Sequence, residues 1–328
     1  MIKIGVIGCG KIAEKHLNAY KKIDDIDVFV SDIVEKGRVV ANKYGAKWYD
    51  DPERLILEGK VDAIDICVPT PSHHDFIVKA LKSGKHVFCE KPLASSIEEA
   101  EQIQAKAMQT NKLIMVGYLY RFHPAFEFAN DIIKEKIIGE PYYAFFRLGG
   151  RGSHKAWKHL KKTGGGAANE MLVHMLDLVV WYFGEITKVD NLYTDIILKE
   201  RMIENKIVKP TAEDLTLLKI DTTSDVKVLC QCDLITPSYM NFIEIHGTNG
   251  SMYTSILDHF PTNVYCKEPI GIYDRGNNFF KFSKVDLFEK ELRYFISCMK
   301  NRCVNDVDSL RDSISVMKAI NILYKEND

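Results

Sequence analysis

Over the first 120 residues, short apolar runs alternate with segments whose apolar positions recur every three to four residues. IKIGVIG (2–8), DVFVSD (27–32), DAIDICV (62–68), KHVFCE (85–90) and KLIMVG (112–117) read as strands. Segments 11–22, 34–45, 72–83 and 96–110 read as helices. Ile12, His16, Leu17 and Ala19 are available to one side of the first, and Gly45 ends the second. Short strands alternating with helices predict a parallel sheet covered on both faces.

The pattern changes after residue 122. Pro124 opens a helix to about residue 135. Strand signals then follow in series: PYYAFFRL, KVDNLYTDIIL, DLTLLKID, VKVLCQCDL, NFIEIHG and GSMYTS. Several alternate with a period near two, which suits an open, mainly antiparallel sheet with one wet face. A strong helix at 167–183 interrupts the series, and helices near 285–300 and 308–324 close the chain. The expected organisation is therefore an α/β domain over 1–122 and an α+β domain over 123–328. The length of 328 residues agrees with two domains at about 150 residues each.

Composition narrows the class. Apolar residues make up 46% and charged residues 27%, ordinary globular usage that argues against disorder, a collagen-like repeat or a coiled coil. With 44 basic and 45 acidic residues the net charge is −1, so steering toward nucleic acid or a membrane surface is not expected. No apolar run reaches the roughly 18 residues of a membrane span, and MIKIGVIGCGK lacks the pattern of a signal peptide. A cytoplasmic location is expected. The eight cysteines show no C-x-x-C spacing and read as buried thiols. No H-E-x-x-H is present, and no metal is expected.

The sharpest local signal is Gly8-x-Gly10-x-x-Ala13, which follows a strand and opens a helix. Such a turn brings backbone N–H groups and a helix N-terminus against a pyrophosphate. Gly8 allows the tight turn, and Gly10, followed by Lys11 and Ile12, lets the phosphates approach the backbone. Asp32 ends the second strand, 22 residues after Gly10. Its carboxylate suits the ribose hydroxyls and would repel a 2′-phosphate. This favours NAD, with Lys36 and Arg38 nearby keeping NADP as the alternative. VPTPSHH (68–74) and CEKP (89–92) lie where loops leave the carboxyl ends of strands, the usual ligand edge of such a sheet.

GVIGCGKIAEKH, DICVPTPSHHDFIVKALKSGKHVFCEKPLASSIEEAEQI and VGYLYRFHPAF together resemble the Gfo/Idh/MocA oxidoreductases. The resemblance continues through GGGAANEMLVHMLDLVVWYFGE and FEKELRYFISCMKN, nearly the whole chain. It implies a Rossmann doubly wound sheet followed by an α+β domain whose open sheet often forms a homodimer or homotetramer interface. It implies an NAD(P)-dependent dehydrogenase acting on a CH–OH group. Thr70, Pro71, His74, Glu90 and Arg121 are expected around the nicotinamide half. Lys91 is implied to reach nicotinamide and substrate, with a cis Lys91–Pro92 bond.

The helix after Gly164-Gly165-Gly166 carries Glu170 and His174 four residues apart, on one side of the helix. Oxidising an alcohol needs a base for the hydroxyl proton, and an imidazole suits that work. The resemblance assigns this role to His174, with Glu170 as its partner. Glu170 departs from the family's Asp or Asn, Leu172 from a common Gly, and Leu119 and Tyr120 from a usual Asn and Arg.

From Pro141 to Asn169 no acidic residue occurs, while six Lys and Arg do. Arg151, Lys155 and Lys158 could hold phosphate or carboxylate oxygens, with Trp157 stacking on a base or sugar. The expected substrate is therefore an anionic or nucleotide-linked sugar. A neutral polyol such as inositol is the alternative, and a non-catalytic binding protein on the same fold is the rival from another class.

Overall fold

The first strand, β1 (Ile2–Ile7), is buried along its last four residues, as a central strand covered on both faces must be. The computed structural model describes residues 1–150, 154–301 and 310–325. After β1 come α1 (Lys11–Tyr20), β2 (Ile26–Ser31), α2 (Lys36–Tyr44), β3 (Lys47–Tyr49) and α3 (Pro52–Glu58). Then follow β4 (Ala63–Ile66), α4 (His73–Lys82), β5 (His86–Cys89), α5 (Ile97–Met108) and β6 (Ile114–Val116). The six strands form one sheet in the order β3-β2-β1-β4-β5-β6, with every pair parallel. The order reverses between β1 and β4, and the crevice at the carboxyl ends of those strands is the ligand site of a doubly wound sheet.

Local chemistry explains the helix ends. Asp51 caps α3, accepting from Glu53 N at 2.7 Å, and Ser96 caps α5, accepting from Glu99 N at 3.1 Å. Gly45 ends α2 in the left-handed conformation, as expected. β3 and α3 lie in a stretch without a strand or helix expectation. Three residues of strand are too few to display a period.

The second part begins with α6 (Pro124–Lys134) and β7 (Pro141–Gly149), followed by α7 (Val173–Phe183) and β8 (Ile186–Asp195). A hairpin of β9 (Arg201–Ile203) and β10 (Lys206–Val208) stands apart. Then come β11 (Leu215–Thr222), β12 (Lys227–Asp233), β13 (Met240–Gly247), β14 (Gly250–Thr254), β15 (Thr262–Cys266) and β16 (Gly276–Phe280). Eight strands form a sheet in the order β16-β15-β14-β13-β7-β12-β11-β8, antiparallel except where β7 runs parallel to β12. β11 and β13 alternate buried and half-buried positions throughout, the period-two pattern of a sheet with one packed face. α7 is buried nearly all round, the mark of a core helix.

Two helices close the described chain, α8 (Leu287–Asn301) and α9 (Leu310–Lys325). The chain divides into a unit of Met1–Phe122 with Val285–Ile314 and a unit of His123–Lys284 with Ser315–Asp328. An uninterrupted second domain to residue 328 does not describe this arrangement. Leu292, Phe295 and Ile296 of α8 are buried in one core with Ile4, Leu17 and Phe88 of the first unit. Each such side chain contributes roughly 1.5–3 kcal/mol, so α8 is part of the first unit's core.

Among the described residues, seven cysteines are free thiols. Five are buried and two half-buried, and Cys230 and Cys232 share the packed face of β12. No helix among the described residues is long and apolar enough to cross a membrane.

Candidate active site

The nucleotide half is built on the β1–α1 turn. Gly8 has φ +94°, and a Cβ there would stand 2.7 Å from the carbonyl oxygen of Cys67. Only glycine lets β1 and the loop after β4 approach this closely. Gly10 precedes α1 with no side-chain cap, and nothing lies within 4 Å of where its Cβ would be. The start of α1 therefore has no side-chain cap and room beside Gly10, the setting in which an anion is held at a helix N-terminus. Lys11 is exposed and Ile12 half-buried beside this turn.

Asp32 lies just past the end of β2. Its Oδ2 accepts the Cys9 N–H at 2.7 Å and its Oδ1 accepts the Val34 N–H at 3.1 Å. A carboxylate has about four acceptor sites, so roughly two remain for ribose hydroxyls while the backbone bonds hold the group in place. Burial and then the Asp32 charge push the Cys9 thiol up to about 12, so it lines the turn as a neutral S–H. A glycine turn with room beside Gly10 and a carboxylate anchored just past the end of β2 fits a dinucleotide.

The loops after β4 and β5 supply the rest of this edge. Thr70, half-buried, and Pro71, exposed, begin a short 3₁₀ turn leading into α4. The structure distinguishes the two histidines that follow. His74 is partly exposed and its Nδ1 lies 3.0 Å from Asp75 Oδ1. His73 is buried, with its ring nitrogens 2.8 Å from the Pro92 carbonyl oxygen and 2.9 Å from that of Val68. His73 therefore braces one loop against the other, a role that the adjacent-histidine pattern did not disclose. Burial pushes its pKa down. Glu90 and Lys91 follow β5, and the Lys91–Pro92 bond is cis.

Arg121 needs a correction. It was expected at the cofactor, but it is 1% exposed and its Nη1 lies 3.0 Å from Asp312 Oδ2. A guanidinium enclosed by protein and paired with a carboxylate 191 positions away has no surface to offer a ligand. A buried charge demands such a partner.

In the second unit, Gly164 to Gly166 fold a basic segment against the start of a helix. Gly166 N donates to the Lys158 carbonyl at 2.9 Å. Gly166 has φ +119°, and a Cβ there would stand 2.3 Å from Glu213 Oε1. That oxygen accepts Ala168 N at 3.0 Å, and the Glu213 carbonyl accepts Ala167 N at 2.9 Å. The helix then opens with one π turn, Ala168–Leu172, before α7. Glu170 sits in the π turn, and half-buried His174 sits in the first turn of α7.

Glu170 is engaged by a cation from the folded-back segment. Lys158 Nζ lies 2.5 Å from Glu170 Oε2, with the side chains 32% and 14% exposed. The same ammonium lies 5.5 Å from the centre of the Trp157 ring, which is 45% exposed. Lys155 pairs with Glu204, and Arg147 Nη2 lies 3.6 Å from Asp233 Oδ2. The acid-free stretch is thus partly neutralised by carboxylates outside it. Arg151 lies outside the described residues.

The chain was compared with known proteins. Residues 2–118 match the family described as "Oxidoreductase family, NAD-binding Rossmann fold", and residues 126–253 match "GFO/IDH/MocA C-terminal domain". The chain is 28% identical over 326 residues to scyllo-inositol 2-dehydrogenase (NAD(+)) of Bacillus subtilis, covering 94% of this chain and 90% of that protein. It is 26% identical over 307 residues to myo-inositol 2-dehydrogenase of Thermotoga maritima, covering 92% and 89%. Its fold is similar to that of a levoglucosan dehydrogenase in complex with NADH and levoglucosan. That match has a TM-score of 0.87 at 20% identity and covers 99% of this chain and 96% of that one.

Proposed function

The chain belongs to the Gfo/Idh/MocA family of NAD-dependent oxidoreductases, and from that premise we propose that it oxidises a secondary alcohol of a sugar or cyclic polyol to the ketone. The observation that carries this reading is the gathering of the glycine turn, anchored Asp32 and the Glu90–Lys91 loop at the carboxyl edge of one parallel sheet.

NAD+, held by these residues, would supply the hydride acceptor for the carbinol carbon. The chain's residues do the rest. Backbone N–H groups after Gly10 hold the pyrophosphate, and the two uncommitted acceptor sites of Asp32 hold ribose hydroxyls. A 2′-phosphate would meet the Asp32 charge, which favours NAD. The Lys91 ammonium polarises the reacting oxygen and favours its deprotonated form. His174 takes the hydroxyl proton. Glu170, paired with Lys158, lies one turn before His174, where a carboxylate favours the imidazolium that proton transfer creates.

The paired cations shift the substrate reading toward a neutral polyol. An anionic sugar would have to compete with Glu170 for Lys158. The inositol dehydrogenases among the relatives support the same direction. The anionic reading keeps one specific support, the exposed Trp157 ring beside Lys158, which could stack on a sugar while the ammonium meets a carboxylate.

The test is NADH formation by purified protein with NAD+ and a panel of inositols, neutral sugars and uronic acids. Turnover with a neutral polyol supports the proposal, and turnover confined to uronic acids restores the anionic reading. NAD+ binding without turnover on any alcohol would leave a non-catalytic binding protein.

A further inference from the structure

The first unit buries a titratable cluster to which the reaction above gives no work. His16, on the inner side of α1, is fully buried. Its Nδ1 lies 2.9 and 3.2 Å from the two carboxylate oxygens of Asp65 on β4. Its Nε2 lies 3.2 Å from Glu90 Oε1. Asp65 also accepts the Tyr20 hydroxyl at 3.0 Å and the Cys67 thiol at 3.3 Å. Phe88 and Phe288 pack beside the imidazole with ring centres 5.5 and 5.6 Å away, and the neighbouring Lys15 ammonium lies 4.8 Å from the Phe288 ring centre. Buried Glu291 of α8 adds its charge to the surroundings of Tyr20.

Counting protons defines the state of this cluster. The Tyr20 hydroxyl donates to Asp65 Oδ2 and the Cys67 thiol to Oδ1, so both oxygens of Asp65 act as acceptors. His16 Nδ1 must then hold a proton. The Nε2–Glu90 contact joins a ring nitrogen to a carboxyl oxygen, so one further proton lies between them. Burial works against charge on His16, but the Asp65 carboxylate outweighs it and holds the imidazole well above its usual range. That places the proton on His16 Nε2, which donates it to Glu90 Oε1. His16, Asp65 and Cys67 lie close enough together to suggest a cation site. Protons account for the contacts of His16 and Cys67 with Asp65, and burial followed by the Asp65 charge pushes the Cys67 thiol up, so it remains a donor.

We propose that His16 is a positioning residue of the dehydrogenase: an imidazolium clamped between Asp65 and Glu90 that fixes the Glu90 carboxylate and, through the adjoining backbone, Lys91. The inference rests on the function proposed above for its catalytic consequence, though not for the clamp. Glu90 is suited to such control. Its side chain is 14% exposed, so its charged group straddles the core and the ligand edge of the sheet. Gly117 leaves room beside it, since a Cβ there would stand 3.4 Å from Oε1.

The test has two readouts. NMR of the full chain labelled with 15N-histidine reports the protonation of His16 without requiring turnover. Wild type is expected to show protons on both ring nitrogens at neutral pH, and Glu90→Gln is expected to move the Nε2 resonance. A neutral His16 in wild type, or a resonance indifferent to Glu90→Gln, overturns the clamp. Kinetics then test positioning. His16→Gln is expected to lower kcat about tenfold and change its pH profile, with a smaller change in KM for NAD+. Unchanged kcat and pH profile in a folded His16→Gln protein overturn the positioning role. Should His16→Gln fail to fold, Glu90→Gln serves for both readouts, and an unaltered kcat and pH profile in that variant is the contrary result. An inactive wild type with an intact clamp would count against the dehydrogenase reading alone.

Discussion

The β1–α1 turn and the basic stretch from Pro141 to Asn169 both looked like anion sites in the sequence, yet the described residues of the two behave differently in the structure. At the turn, chemistry is local. Backbone N–H groups and a missing side chain make the cradle, and Asp32 reaches back to the Cys9 N–H. In the basic segment, the chemistry is set by residues elsewhere in the chain. Lys155 is met by Glu204 and Lys158 by Glu170. A motif made of backbone geometry carries its chemistry in its own residues, whereas a run of like charges is defined only once its partners arrive.

The sharpest way to break this comparison is to remove the chemistry while leaving both scaffolds standing. Lys91→Met and His174→Ala should each lower kcat by about 10²–10⁴-fold, the usual worth of an acid–base group. NAD+ affinity, measured by calorimetry, should change far less. Lys158→Met comes next. With an anionic substrate it should lower kcat/KM by about 10- to 100-fold, as expected for a charge-assisted contact of roughly 1.5–3 kcal/mol. With a neutral polyol the change should stay below about tenfold.

Gly166→Ala tests the scaffold of the second region. Its positive φ and the Glu213 carboxylate leave no place for a methyl group, so urea unfolding should show a loss of more than about 1 kcal/mol. Lys155→Met should give the smallest effect. Its pair with Glu204 is about half exposed on both sides, and such pairs are worth less than about 1 kcal/mol.

A pH series sharpens the contrast from the first unit. The folded-state pKa of His16 is raised, so its charged form contributes stability that is full below about pH 6.5. The contribution is lost as pH rises through the folded value. The melting temperature of His16→Gln should therefore fall furthest below wild type near about pH 6 and approach it in alkaline buffer. A gap that widens with rising pH would contradict the imidazolium.

Much of the fold was legible because each long element carries its own period. The parallel strands other than β3, the helices α1, α4 and α5, and strands β7, β8 and β11 to β14 of the second sheet lie within a few residues of the expected ranges, whereas β15 and β16 had no expectation. The short strands β3, β9 and β10 carry too few residues for any period. The placement of α8 was hidden for another reason. Its apolar stripe shows that it must pack, but not that its partners are Ile4 and Leu17 some 290 residues earlier. Arg121 misled for the same reason, since nothing beside it in sequence announces Asp312. His73 and His74 are indistinguishable as neighbours in sequence, and only the loops around them decide which ring is buried. Asp65 and Glu90 likewise gave no local sign that one imidazole joins them.

The most direct measurement is NADH formation by wild type and His174→Ala side by side, with inositols, neutral sugars and uronic acids, after NAD+ binding has been confirmed for both. The account predicts turnover by wild type with at least one of these alcohols and a loss of about 100-fold or more in the variant at similar NAD+ affinity. Equal rates in the two proteins, or NAD+ bound by both without turnover on any alcohol, would contradict it.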